Sequence, residues 1–180
     1  MQEIETKILE VDVEAVKQKI KSLGAEEIQN TRLSVDWYGP KGLTHKGDDP
    51  WFLRIRTDQE GRSEITWKSK REHLGVSSTK KEINLQISNP KMHEELFSEI
   101  GLELYGHQEK DRVSWKYQDW KFDLDQYPNM PAYLEIEGKS EENIQEAITL
   151  LGLENKIATP LGERDIITKN YGLNWYNMRF

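Results

Sequence analysis

Between residues 2 and 138, segment after segment alternates charged with apolar side chains, and a period of two is the geometry of strands rather than helices. Glu3, Glu5 and Lys7 share one face while Ile4, Thr6 and Ile8 share the other. Arg54 and Arg56 alternate with Leu53 and Ile55, Thr66 and Lys68 with Ile65 and Trp67, and Lys80, Glu82 and Asn84 with Ile83 and Leu85. Lys110, Arg112 and Ser114 oppose Val113 and Trp115; Lys121, Asp123 and Asp125 oppose Phe122 and Leu124; Glu135 and Glu137 oppose Leu134 and Ile136. These rows predict strands near 2–9, 27–38, 51–57, 62–69, 79–87, 103–117, 120–127 and 131–138. Turn residues at Asp58 to Gly61, Gln118-Asp119 and Pro128 to Pro131 make neighbouring strands antiparallel. The stretches 39–50 and 71–78 read as mobile loops.

Three segments carry helical spacing instead. Asp12 precedes Val13, Val16, Ile20 and Leu23, with Gly24 as the stop. Asn89-Pro90 opens a helix expected to turn Met92, Leu96 and Ile100 inward before Gly101. Ser140 precedes Ile144, Ala147, Ile148 and Leu151, ended by Gly152. A further helix is expected near 162–170, followed by an aromatic tail of Trp175, Tyr176 and Phe180. The class is therefore α+β, and 180 residues fit a single domain, 1–180.

One face of such a sheet is apolar and suits the helices; the charged face can lie in ordinary contact with water or line an interior. The distribution of sign bears on that choice. Glu3 and Glu5 stand roughly 7 Å apart on one strand face and repel by about 2 kcal/mol at an effective dielectric near 20. Acidic pairs on three strands suggest a shared cation. Arg54 with Arg56 concentrates forked donors suited to phosphate oxygens. Acidic and basic pairs on one sheet face match a metal bound to a phosphate chain, and hard ions such as Mg²⁺ or Mn²⁺ prefer the oxygen ligands present here. If the sheet closes into a barrel, the charged rows become a lumen and the apolar rows face outward beneath the helices.

Composition narrows the function classes. A net charge of −7 argues against nucleic-acid binding through a broad basic surface, so any anion site is local. With no cysteine, disulfides, thiolate metal sites and a Cys nucleophile are excluded, which suits a reducing cytoplasm. The alternating first ten residues read as neither signal peptide nor membrane helix, so a cytoplasmic protein without membrane contact is expected. No Walker loop or dinucleotide fingerprint occurs, and His45, His73, His93 and His107 read as scattered surface residues.

The series Glu3-x-Glu5-x-Lys7, Arg54-x-Arg56, Lys68, Lys80-x-Glu82, Arg112, Asp123-x-Asp125 and Glu135-x-Glu137 resembles, in order, the motifs of the CYTH superfamily, the triphosphate tunnel metalloenzymes. The resemblance implies a closed eight-stranded antiparallel barrel, a divalent metal cofactor (Mg²⁺ or Mn²⁺) and a triphosphate-containing small molecule as substrate. By position it makes Lys7, Arg54, Arg56, Lys68, Lys80 and Arg112 phosphate ligands, and Glu3, Glu5, Glu82, Asp123, Glu135 and Glu137 metal ligands. Lys7 is also the expected catalytic cation, and Asp125 either joins the metal set or caps the next turn. The fifth strand departs from the family's Arg-x-Glu-x-Glu: it reads Lys80-x-Glu82-x-Asn84, keeping a charge without the fork and losing an anion.

The resemblance implies a metal-dependent triphosphatase acting on inorganic, nucleoside or thiamine triphosphate, or a class IV adenylyl cyclase; the altered fifth strand adds a third reading, a non-catalytic sensor of a phosphorylated metabolite or polyphosphate. A cyclase needs an adenine pocket, for which Trp37, Tyr38 and Trp51 are the aromatic candidates. A homodimer is left open.

Overall fold

The computed structural model describes residues 2–42, 49–70 and 72–180, without the side chains of Gln2 and Glu3. Strands β1 (Gln2–Ile8), β2 (Glu26–Pro40), β3 (Trp51–Asp58), β4 (Ser63–Ser69), β6 (Ser77–Ile87), β7 (Leu102–Tyr117), β8 (Trp120–Gln126) and β9 (Tyr133–Gly138) form the main sheet. They pair in the order β1-β9-β8-β7-β2-β3-β4-β6, and β6 pairs back to β1, so eight antiparallel strands complete a ring. Short strands decorate it: β5 (Glu72–Leu74) on β6, β10 (Ala158–Thr159) on β1, and β11 (Asn177–Met178) parallel to β7.

The turns follow from local chemistry. Asp58 Oδ1 accepts from the backbone N–H of Glu60 and of Arg62, both at 2.9 Å, and Gly61 takes φ +80° to reverse the chain between β3 and β4. Helices α1 (Val13–Ser22), α2 (Pro90–Glu99) and α3 (Glu141–Leu151) begin at Asp12, Asn89 and Ser140, each accepting from a first-turn N–H. Their capping residues are the expected ones.

Helices α1 and α3 cover the outer faces of β1, β7, β8 and β9. Val16, Ile20, Ile144 and Ala147 pack with Ile8, Trp115, Phe122, Leu134 and Ile136 in one core. Helix α2 differs from expectation. Met92, Leu96 and Ile100 are at least half exposed, while Phe97, a neighbouring position on the wheel, is the residue buried against Tyr38, Ile55 and Ile65. The helix is rotated because the outer face of β2–β4 offers a slot for one aromatic ring rather than a groove for a stripe. Beyond it, Ile83 and Leu85 on β6 remain exposed.

Two loop expectations also change. Residues 72–78 are largely strand, β5 and the start of β6, because Glu72 to Leu74 find partners in Ser77 to Thr79. Of 39–50, Gly39 and Pro40 complete β2, while 43–48 and residue 71 lie outside the described residues, as does His45. At the other end, the expected helix 162–170 is α4 (Glu163–Asp165) running into a π-helical turn, Ile166–Asn170.

That segment occupies one end of the ring. The inward row of β2 is apolar: Val35 and Trp37 pair in register with Arg56 and Arg54, so they share the inner face. Leu33, Val35 and Trp37 pack there with Tyr127, Tyr133, Ile166, Ile167 and Trp175, forming a second core. The expectation that apolar rows all face outward therefore fails on β2. Among the described residues, no helix is long and apolar enough to cross a membrane.

Because Ile136 is fully buried between the ring and its helices, Ile136→Ala should destabilise the fold by about 2–5 kcal/mol, measured as a lowered urea midpoint with an unchanged slope.

Candidate active site

Residues paired across antiparallel strands point the same way, so the register identifies the inner face. Glu5 stands beside Glu137 and Lys7 beside Glu135; Arg112 beside Asp125; Asp123 beside Glu135; Lys68 beside Glu82; and Thr66 beside Asn84. These side chains surround a cavity of about 390 Å³, lined by Lys7, Arg54, Arg56, Lys68, Lys80 and Arg112, and by Glu5, Glu82, Asp123, Glu135 and Glu137. Eleven of the twelve residues singled out from the sequence are thereby brought together; Glu3 precedes them on β1, its side chain outside the described residues.

The charges interlock. Lys7 Nζ donates to Glu5 Oε1 at 2.9 Å and lies 2.9 Å from Glu135 Oε2, and Lys80 Nζ donates to Glu5 Oε2 at 2.5 Å. Arg112 grips Asp125 through Nε and Nη2, both at 2.6 Å, and Asp123 through Nη1 at 2.7 Å. Lys68 pairs with Glu82, and Arg56 with Glu64 at 2.9 Å. Burial works against charge on Arg112, but Asp123 and Asp125 raise its pKa well above the ordinary value. Likewise Glu135, despite burial, is held well below the carboxylate range by Lys7 and Arg112.

Three groups are left over by this pairing. Arg54 is 6% exposed; its Nε has no hydrogen-bond partner among the described residues, and its guanidinium leans on the Trp37 ring, 5.5 Å from the centroid. Asp123 Oδ1 is buried without a hydrogen bond. The Glu137 carboxyl is pushed up by burial, with Glu135, Asp123 and Glu5 adding repulsion against the pull of Lys121. Positive charge is also crowded on the opposite wall. Burial lowers the pKa of Arg56, and the neighbouring cations Arg54 and Arg112 lower it further. Burial, then Lys80 and Arg54, push Lys68 down to about 7 against Glu82 and Glu5.

Among the described residues no three acidic or histidine side chains converge as in a formed metal site. The donor set nonetheless suits a hard divalent ion: it is all oxygen, and Asp123 Oδ1 is an uncommitted buried acceptor beside the strand that carries Glu135 and Glu137.

Several expectations need correction. Asp125 caps no turn: it is fully buried, clamped by Arg112 and Lys110, and accepts from Tyr133 Oη at 3.0 Å. Trp37 lines the cavity, but Tyr38 packs outward on Phe97 and Trp51 faces away; Phe52, in register with Lys68, is the second aromatic lining residue. His107, expected at the surface, is a largely buried β7 residue bonded through Nδ1 to Asp36 at 2.6 Å, while His73 on β5 lines the cavity. Missed altogether were Glu64, Glu163 and Arg164. Glu64 continues the Thr66–Lys68 row by two residues and was detectable; the other two enter from outside the strand pattern.

The chain thus forms a ring of eight antiparallel strands around a cavity lined by both cationic and acidic side chains. A family model of the CYTH domain matches residues 1–162, and the chain belongs to that family. No curated protein matches it in sequence. Among solved structures it is similar to the PH1012 protein of Pyrococcus horikoshii OT3, at 26% identity and TM-score 0.73, over 89% of this chain and 96% of that one. It also shares its fold with HpAC1 of Hippeastrum, an adenylyl cyclase-type protein with a dominant triphosphatase activity, at 13% identity and TM-score 0.68, over 96% and 97%. The Mimivirus capping enzyme triphosphatase is similar at 11% identity and TM-score 0.51, over 84% and 89%.

Lys68 also makes stability depend on pH. Its folded pKa near 7 lies below the ordinary 10.5, so between those values the unfolded chain binds more protons and stability rises with pH. Lys68→Met should flatten that rise, checked by urea titrations from pH 7 to pH 10.

Proposed function

We propose that this protein is a metal-dependent hydrolase of a triphosphate-containing small molecule. The observation that carries the reading is Arg54: a buried guanidinium resting on an aromatic ring instead of a carboxylate is costly unless an anion completes it. Arg56 and Lys68, whose charged forms are disfavoured by neighbouring cations, would gain from the same anion. Together with Lys80 and Arg112 they line one cavity from four strands, and guanidinium and ammonium donors are the groups that bind phosphate oxygens.

Glu5, Asp123, Glu135 and Glu137 would hold the divalent ion, Mg²⁺ or Mn²⁺, with Glu3 and Glu82 as the further expected ligands. When bound, that ion supplies charge neutralisation to the phosphoryl group under attack. Arg54, Arg56 and Lys68 fix the phosphate chain, and Arg112, rigidly clamped by Asp123 and Asp125, presents its remaining N–H donors to the same oxygens. Water attacks the terminal phosphorus in line, the bond to the bridging oxygen breaks, and phosphate and the shortened chain leave. Lys7, fixed between Glu5 and Glu135, stabilises the charge that builds on the transferring group.

The second reading is cyclisation of ATP, favoured by Trp37 and Phe52 beside the cationic wall. A substrate panel of tripolyphosphate, ATP and thiamine triphosphate with Mg²⁺ or Mn²⁺ separates the two. Release of phosphate is expected; cyclic AMP with pyrophosphate would establish the cyclase, and tight binding without turnover the sensor. Arg56→Ala should weaken triphosphate binding by about tenfold to a hundredfold, and unchanged binding in a calorimeter would sink the proposal. Glu137→Gln and chelation by EDTA should each lower turnover, with Glu137→Gln raising the Mg²⁺ concentration needed for half-maximal rate.

A further inference from the structure

The C-terminal segment brings an acid into the interior that the strand rows do not contain. Glu163, at the start of α4, lines the cavity. Its Oε2 lies 3.3 Å from Lys110 Nζ and accepts from Tyr127 Oη at 2.8 Å. Lys110 is 1% exposed and gives its other contact, at 2.9 Å, to Asp125. The β7 row thus holds two cations of different kind: Arg112 keeps N–H donors for a ligand, whereas Lys110, one inward position along, is neutralised by Asp125 and Glu163. Despite burial, Lys110 and Arg54 hold the Glu163 carboxyl at about 2, so it is ionised at any physiological pH.

We propose, resting on the triphosphate reading above, that Glu163 is a specificity-determining residue that ends the cationic track and limits the ligand to a short phosphate chain. A fixed carboxylate at the end of a row of cations does two things. It consumes the charge of Lys110, which would otherwise bind a further phosphate, and it repels the oxygens of any phosphate placed beyond Arg54 and Arg112. The segment that carries it is held at that end of the ring by Ile166, Ile167 and Trp175, which pack against Val35 and Trp37. The segment is anchored independently of Glu163 by this apolar core, so removing one negative charge tests the electrostatic stop without removing the wall that carries it.

The test compares binding of tripolyphosphate and linear tetrapolyphosphate to the full chain in Mg²⁺ by calorimetry. The wild type should prefer tripolyphosphate by about tenfold, from like-charge repulsion at short range. Glu163→Gln, which keeps the shape and a hydrogen-bond partner for Tyr127, should reduce that preference to less than about threefold. Tyr127→Phe, which loosens the carboxylate without discharging it, should keep most of the preference. A wild type that binds both chains equally, or a Glu163→Gln variant with the wild-type ratio, overturns the length stop. Equal loss of preference in Tyr127→Phe and Glu163→Gln would assign the effect to the position of the segment and overturn it too. Failure to bind either chain would instead strike the triphosphate reading itself, so the two failures are distinguishable.

Discussion

The structure depends on one constraint: closing eight strands into a ring takes more than a dozen ionised side chains out of bulk water, and their charges must then be neutralised within the ring. Ions buried singly are expensive, and pairing offsets the cost only where geometry is good. The interior meets this by alternation of sign across neighbouring strands. From Glu163 through Lys110, Asp125, Arg112 and Asp123 to Lys121, six side chains of alternating charge form one continuous chain of contacts between 2.6 and 3.3 Å. A second network runs Lys80, Glu5, Lys7, Glu135. What matters for function is the remainder. Arg54, Asp123 Oδ1 and Glu137 are where internal pairing stops, and they lie on opposing walls, a cation on one side and acceptors on the other.

The same constraint explains why the ring is not charged throughout. An interior with only ionic rows would need a partner for each member, and β2 avoids this by presenting Leu33, Val35 and Trp37 inward. Those residues need an apolar partner in turn, and Ile166, Ile167 and Trp175 provide it from the C-terminal segment. One strand with inverted polarity therefore converts a ring open at both ends into a cavity backed at one end by a packed core. Arg164 belongs to this arrangement. Its guanidinium lies 4.3 Å above the Trp175 ring, bonds Tyr105 Oη at 3.2 Å and pairs with Asp49 at 3.3 Å, so the charge sits between aromatic faces and a carboxylate where the ionic and apolar parts of the interior meet.

Much of this could be read from the chain before the structure. Seven of the eight ring strands announced their inner face because charged and apolar rows alternate without interruption, and eleven predicted site residues converge as that pattern requires. β2 was silent because its inner row is apolar and its outer row mixed, the reverse of its neighbours, and period alone cannot say which row faces inward. Asp125 was ambiguous for a different reason: a carboxylate before a turn and a carboxylate in a buried clamp have the same sequence signature, and only the position of Lys110 across the sheet decides between them. Glu163 carried no local signal, since its role depends on a contact with a strand more than fifty residues earlier in the chain. The exposed stripe of α2 marks the limit of helical periodicity, which predicts that a face is apolar but not that a surface exists to receive it.

The departures on β6 acquire a physical reading once the register is known. Lys80 carries a point charge where the family pattern has a forked guanidinium, and it donates to one carboxylate oxygen of Glu5, whose other oxygen accepts from Lys7. Asn84 removes an anion from the row, yet the neighbouring strand restores one: Glu64, one pairing position further along β4, takes Arg56 as its partner and accepts from Thr66 and Gln86. An acid is therefore present one strand across and one pair along from Asn84. The negative charge of that wall thus comes from β4 as well as β6, which the motif on β6 taken by itself does not show.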